Sequence, residues 1–174
     1  FNPAFLREKG LPAPGWLEHL RARCSEYGVV LIFDEVKTGF RIAPGGAQAH
    51  FGVRADLVTY AKAMANGFPI GAIAGKREFM MTIEPGAVGQ GGTYCGNIPA
   101  VAACNATLAY IENHPVHATI NARGARLMAG LADILTRYGV PHLISCLPPM
   151  FGVILGIDDA TAHGAPHDFR SITK

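Results

Sequence analysis

Gly28-Val29-Val30-Leu31-Ile32-Phe33-Asp34-Glu35 is the stretch that decides the fold. An apolar, β-branched run ends in two carboxylates. A continuous apolar run of this length reads as a strand buried on both faces. Residues 16–27 before it carry a helical stripe of Leu17, Leu20, Cys24 and Tyr27, with Gly28 as a stop. Helix followed by buried strand predicts a parallel sheet in an α/β fold. In open α/β sheets ligands collect beyond the carboxyl ends of the strands. Asp34 and Glu35 stand at that end, where an acid can also serve only as a cap for the next loop.

Downstream, residues 56–60 form a second strand-like run that leads directly to Lys62, the only charged residue between Leu57 and Gly75. An ammonium there is expected to face desolvation, which favours the neutral amine. A neutral lysine amine is a nucleophile able to form a Schiff base with an aldehyde. The alternative is a lysine whose stem packs on apolar surface while its head reaches water. Its neighbours Ala61, Ala63, Met64 and Ala65 leave room and bring no charge.

The 174 residues suit one domain and part of a second, and 49% apolar against 16% charged residues give ample material for a core. A formal charge of +2 is too small to argue for a nucleic-acid partner, and no Lys/Arg cluster adds to that case. The long weakly charged stretch is broken by Lys62, Asn66, Gly67 and Pro69, so it is not a membrane span. No signal-peptide pattern opens the chain. Cys24, Cys95, Cys104 and Cys146 are widely and irregularly spaced, which argues against structural zinc and fits reduced thiols in the cytoplasm. His114 and His117 are interrupted by Pro115 and read as a loop after a helix; no metal site is expected. The chain begins with Phe1 and ends at Lys174, and reads as an internal fragment of a longer polypeptide.

Residues 37–52 are glycine-rich and read as an ordered loop, long enough to expect a function. A short strand is predicted near residues 70–74 and a loop over 84–92. Asn97 and Pro99 open an alanine-rich helix to Asn113. A longer helix over 118–138 places Ile120, Leu127, Leu131 and Ile134 on one face, and residues 151–157 form a strand. Beyond Asp158 no element is predicted. This change of pattern puts a boundary near residues 114–118, with a large α/β part over 1–115 and a small α+β part over 116–174.

At this point the sequence resembles a family. Leu31-Ile32-Phe33-Asp34-Glu35-Val36, then Gly39-Phe40-Arg41, then Asp56-Leu57-Val58 with Ala61-Lys62 and Asn66-Gly67, resemble the signature of class III aminotransferases, pyridoxal phosphate enzymes of fold type I. Residues 39–48 and Gly92-Thr93-Tyr94-Cys95-Gly96-Asn97 are similar to the glutamate-1-semialdehyde 2,1-aminomutase-like branch. The resemblance covers most of residues 11–113 and weakens beyond 120. It implies the later part of a cofactor-binding large domain, with a mainly parallel sheet and flanking helices, followed by the start of a small α+β C-terminal domain.

What the resemblance implies about chemistry attaches to particular residues. Asp34 would hold the proton on the cofactor's ring nitrogen, which keeps the ring an electron sink. Val36, two residues along an extended chain, would lie on the same side and pack on the ring face; it reads equally as a core valine. Lys62 would carry the Schiff base and, once freed, shuttle a proton. Thr93, with Gly91 and Gly92, would meet the cofactor phosphate of a neighbouring subunit in a homodimer. Without the resemblance that glycine turn reads as the cap of the next helix. Substrates would be a small amino donor and a carbonyl acceptor. The family's Gly/Ser phosphate turn and ring-stacking aromatic lie upstream of the sequence seen here, so this chain alone is expected to be inactive. Glu35 and Arg41 receive no substrate role; a loop ion pair is one use for them.

Two other readings stand beside this one. One is a catalytically incomplete remnant that retains only the fold. The other is a nucleotide-binding module, from the faint phosphate-loop likeness of Gly71 to Lys76, which has one residue too few and Arg77 where Ser or Thr is needed.

Overall fold

The computed structural model describes residues 11–83 and 87–156. Helix α1 (Trp16–Glu26) is followed by strand β1 (Ile32–Asp34), a short helix α2 (Gly46–Phe51) and strand β2 (Leu57–Tyr60). A single 3-10 turn (Lys62–Met64), strand β3 (Ala72–Gly75) and one turn of helix α3 (Arg77–Met80) come next. Helices α4 (Ile98–Asn113) and α5 (Val116–Arg137) precede a two-stranded unit of β4 (His142–Ser145) and β5 (Gly152–Leu155). The first sheet has the order β1-β2-β3. β1 and β2 are parallel, with Asp34 opposite Thr59. β3 returns antiparallel to β2. One of these two pairings is thus parallel, as the helix-then-strand pattern predicts, and α2 lies in the crossover between the two parallel strands.

The β1 run is not buried on both faces. Leu31 and Phe33 are buried, whereas Val30, Ile32 and Asp34 are exposed. Burial alternates with the strand's period of two, and among the described residues a packed layer covers one face only. That face carries the core of Leu17, Leu31, Phe33, Val53 and Val58, with Leu20 and Cys24 of α1 packed on it. Full burial of Phe33 contributes about 2–3 kcal/mol. The regular strand is also shorter than the apolar run, because Gly28 takes a left-handed turn (φ 63°) that ends α1.

Residues 37–52 are not wholly loop. The segment turns, makes a bridge between Gly39 and Ala43, and then forms α2. The helix is too short to show a periodic stripe, so the sequence could not reveal it. The start of α4 is as expected: the Asn97 side chain accepts from the Ala100 N–H at 3.2 Å, with a proline in the first turn. Helix α5 starts earlier than predicted, at Val116, with Pro115 as its N-cap. Its expected apolar face is split. Leu127 and Ile134 are exposed at 53% and 49%, while Gly124 is buried. The reason is local: a methyl group at Gly124 would lie 2.1 Å from the Pro148 carbonyl oxygen, so the chain at residues 148–150 packs directly on the helix backbone there. Strand β4 was not foreseen; its four residues are half-buried and lack alternation. The predicted 151–157 strand is found as Gly152–Leu155. Residue 157, the tail beyond it and residues 84–86 lie outside the described residues.

Asp56 fastens three elements together. Its carboxylate accepts from the Leu31 N–H at 2.7 Å and pairs with Arg21 at 2.8 Å and Lys76 at 2.7 Å. Burial pushes this carboxyl up, but the hydrogen bonds from Lys76, Leu31 and Arg21 outweigh it and hold it at about 2, against 3.8 ordinarily. The same pairing removes the phosphate-loop reading: residues 72–75 are a strand, and Lys76 is engaged with Asp56. Because the folded chain favours the ionised form, Asp56 contributes roughly 2 kcal/mol that is complete above about pH 4 and lost as pH falls towards about 2. Denaturant midpoints followed against pH are expected to show this decline, and Asp56→Asn to flatten it.

Candidate active site at the strand ends

Parallel pairing in this register brings the carboxyl ends of β1 and β2 side by side. Asp34 closes β1, and Lys62 follows β2 by two residues. The Asp34 side chain lies on the open face of the sheet. Its Oδ1 accepts from the Val36 N–H at 2.9 Å and from the Thr59 hydroxyl at 3.2 Å. Among the described residues Oδ2 has no protein donor. A carboxylate held on one oxygen and free on the other can still accept from a ligand N–H.

The chain does not stay extended beyond Asp34. Residues 36–38 form a turn, because the Asp34 carboxylate captures the Val36 N–H. Val36 is half-buried, and the extended-chain argument for its position does not hold.

Lys62 is exposed, so the desolvation expected of it is not found. The loop's apolar character is used elsewhere: Met64 and Ala65 are buried against Cys104 of α4, anchoring the 3-10 turn while its first residue faces outward. Lys62 takes a left-handed backbone conformation (φ 45°), as do Asn66 (φ 46°) and Phe40 (φ 57°). Such conformations cost of order 1 kcal/mol or more for ordinary residues and gather at functional sites. Lys62 lines an open cavity of about 430 Å³ together with Arg41, Ala61, Ala63, Asn66 and Phe68. Among the described residues neither Lys62 nor Arg41 has an ion-pair partner, and no acid lines this cavity.

Gly92 and Thr93 are not brought to this cavity. Both are exposed, in the turn that leads into α4, where Gly92 accepts from the Cys95 N–H. No cluster of potential metal ligands is found among the described residues. His114 and His117 diverge: His114 caps α4 and stacks on Tyr110, while His117 in the first turn of α5 contacts the Phe40 carbonyl. His114 therefore lies in the short connection after α4, as read, whereas His117 lies in the first turn of α5.

Glu35 is the residue sequence reasoning left unassigned. It is completely buried and accepts from the Thr38 hydroxyl (2.6 Å), the Ala47 N–H (2.7 Å) and the Gln48 N–H (2.9 Å). It thereby caps α2 and shapes the loop that carries Phe40 and Arg41. Burial, and then the Glu35 charge, raise the nearby Tyr60 hydroxyl above its ordinary value. A signal for Glu35 was present. Strand alternation puts residue 35 on the same face as Phe33, and a charge in a buried register must be paired.

The sequence matches the family model described as "Aminotransferase class-III" over residues 9–168. Among solved structures, a transaminase with pyridoxal phosphate (PLP) bound is similar at 32% identity and a TM-score of 0.80, over 88% of this chain and 37% of that one. An omega-transaminase from Sphaerobacter thermophilus is similar at 32% identity and a TM-score of 0.71, over 82% and 33%. A beta-phenylalanine aminotransferase from Variovorax paradoxus is similar at 27% identity and a TM-score of 0.75, over 93% and 39%. The chain thus spans well under half the length of these structures.

Proposed function

This chain belongs to the class III aminotransferase family, and from that premise we propose that the complete protein transfers amino groups with pyridoxal phosphate, using Lys62 and Asp34. The observation that carries this reading is the register of β1 and β2, with a half-satisfied carboxylate at one strand end and an unpaired amine beyond the other. These residues fit the cofactor chemically. A free carboxylate oxygen suits a protonated ring nitrogen, and an accessible, unpaired amine suits an aldehyde.

Lys62 would hold the cofactor through a covalent bond from Nζ to its aldehyde carbon. Asp34 would hold the proton on the ring nitrogen, and the Val36 N–H and Thr59 hydroxyl fix the orientation of its carboxylate. When bound, the cofactor supplies an electron-withdrawing ring that weakens the bonds around the substrate's amine-bearing carbon. Once the substrate's amine has displaced it, the freed Lys62 amine would move a proton at that carbon. Substrates would be a small amino donor and a carbonyl acceptor.

Thr93, with Gly92, would serve the cofactor phosphate of a second subunit; its exposed position outside the Lys62 cavity is compatible with that arrangement. The protein would then be a homodimer. Val36 would border the ring. Residues up to 115 would belong to the large domain and residues from 116 to the small one. The wide, irregular spacing of the four cysteines suits reduced thiols and supports a cytoplasmic setting. Transamination and internal amino migration use the same lysine; the motifs at 39–48 and 92–97 favour an aminomutase-like member. Assays with and without an external amino acceptor separate the two.

Borohydride reduction of the complete, cofactor-loaded protein tests the central assignment. Peptide mass mapping is expected to find the reduced cofactor on Lys62. Its appearance on another lysine would overturn the proposal.

A further inference from the structure

Phe40 stands in the left-handed region (φ 57°), which bulky residues rarely enter. Such a residue persists only where its surroundings over-determine it. Three restraints act here. The Phe40 ring packs on Tyr60, with centroids 5.2 Å apart. The Arg41 N–H, on the peptide that joins it to Phe40, donates to the Thr38 carbonyl at 3.2 Å, and Thr38 is buried and bonded to Glu35. The third restraint comes from 77 residues away: the Phe40 carbonyl lies 3.1 Å from His117 Nε2 in the first turn of α5. A carbonyl only accepts, so Nε2 carries the hydrogen. A trans peptide points its C=O and its N–H in opposite directions. The Phe40–Arg41 plane is therefore gripped on both edges, one by its own loop and the other by α5.

The grip from α5 matters because close packing does not fill this junction. A cavity of about 530 Å³ lies there, lined by Phe40, Arg41 and Asn66, by Ile111 of α4, and by Val116 and Ile120 of α5. The plane also belongs to the site. Arg41 lines the Lys62 cavity, and Tyr60, against the Phe40 ring, precedes Lys62 by two residues. We propose that His117 is a positioning residue: its Nε2–H fixes the Phe40–Arg41 peptide and so ties α5 to the wall of the Lys62 cavity. The consequence for turnover rests on the amino-transfer reading above; the hold on the peptide does not. Without the donor the peptide can rotate, which relieves the left-handed strain at Phe40, breaks the Arg41 N–H bond and moves the cavity wall.

The test uses the complete protein, with and without cofactor. Glutamine places an amide N–H as many bonds from the backbone as Nε2, asparagine places it one bond short, and leucine has none. In the cofactor-free protein, His117→Leu and His117→Asn are each expected to speed hydrogen exchange at the Arg41 amide about 3–10-fold, the worth of one hydrogen bond. Amides in the middle of α5 are expected to keep their rates, and His117→Gln to stay near the parent. In the loaded protein both loss variants are expected to lower kcat about 3–10-fold, because fewer molecules hold the wall in place, and His117→Gln to restore it. Unchanged exchange at Arg41 in both loss variants would overturn the proposal. Faster exchange along the whole of α5 would mark a packing role and overturn it as well. So would equal losses in His117→Gln, which would show that the ring matters and its N–H does not. Faster exchange at Arg41 with unchanged kcat would refute a positioning role in the reaction. Cofactor trapped on a lysine other than Lys62 would sink the amino-transfer reading, while exchange at Arg41 still decides whether His117 holds the peptide.

Discussion

Replacing Lys62 with alanine in the complete protein is expected to lower turnover by about 10⁴-fold and to abolish borohydride-stable attachment of the cofactor. The expectation follows from position. Among the described residues Lys62 is the one amine on its cavity, and it stands beyond the strand that neighbours Asp34. Stability should change little, because the side chain is exposed and the turn is anchored by Met64 and Ala65. Removing a bulky side chain from φ 45° does not relieve the strain, since alanine also disfavours that region. A small primary amine added to the assay is expected to restore part of the lost turnover, because the open cavity admits it and the missing group is only an amine. Full activity in Lys62→Ala would refute the proposed mechanism outright.

The second large effect is on folding. Glu35→Ala is expected to destabilise the protein by about 3–5 kcal/mol. It would leave the Thr38 hydroxyl and the Ala47 and Gln48 N–H groups buried without their acceptor, and would open a cavity beside Gly46. Glu35→Gln should cost less, about 1–3 kcal/mol, since one carbonyl oxygen remains while its NH₂ must face a donor. Equilibrium unfolding in denaturant measures both. An independent readout is available at Tyr60. Without the Glu35 charge its hydroxyl should titrate at lower pH than in the parent, which ultraviolet absorbance can follow. A cost below about 1 kcal/mol for Glu35→Ala would show that this carboxylate is not the organiser of the loop.

Adjacent acids with opposite fates show how much of the site could be read from sequence. Asp34 and Glu35 look alike at the end of an apolar run. The role proposed for Asp34 comes from motif likeness, and in the structure its side chain faces the open side of the sheet. Glu35 points into the core, and its partners come from residues 38, 47 and 48. Two of those partners belong to a helix too short to leave a periodic trace. Asp56 was quoted as part of a motif without a role, since its partners Arg21, Leu31 and Lys76 are scattered along the chain. Arg41 was visible as a charge near the site and nothing more. Its place in the Lys62 cavity depends on how residues 35–48 fold back.

The sequence by itself determined the elements whose signals are local. These are α1 with its glycine stop, the asparagine cap of α4, and the acid and the lysine at the ends of two strand-like runs. Each depends on spacing within a few residues, where propensity and periodicity act. Tertiary structure alone decided which faces are covered and which charges are paired. It put Lys62 in the open against an expectation of burial, split the apolar stripe of α5 around Gly124, and sent Glu35 inward. Burial and ion pairing are properties of groups brought together from distant parts of the chain, so no local pattern specifies them.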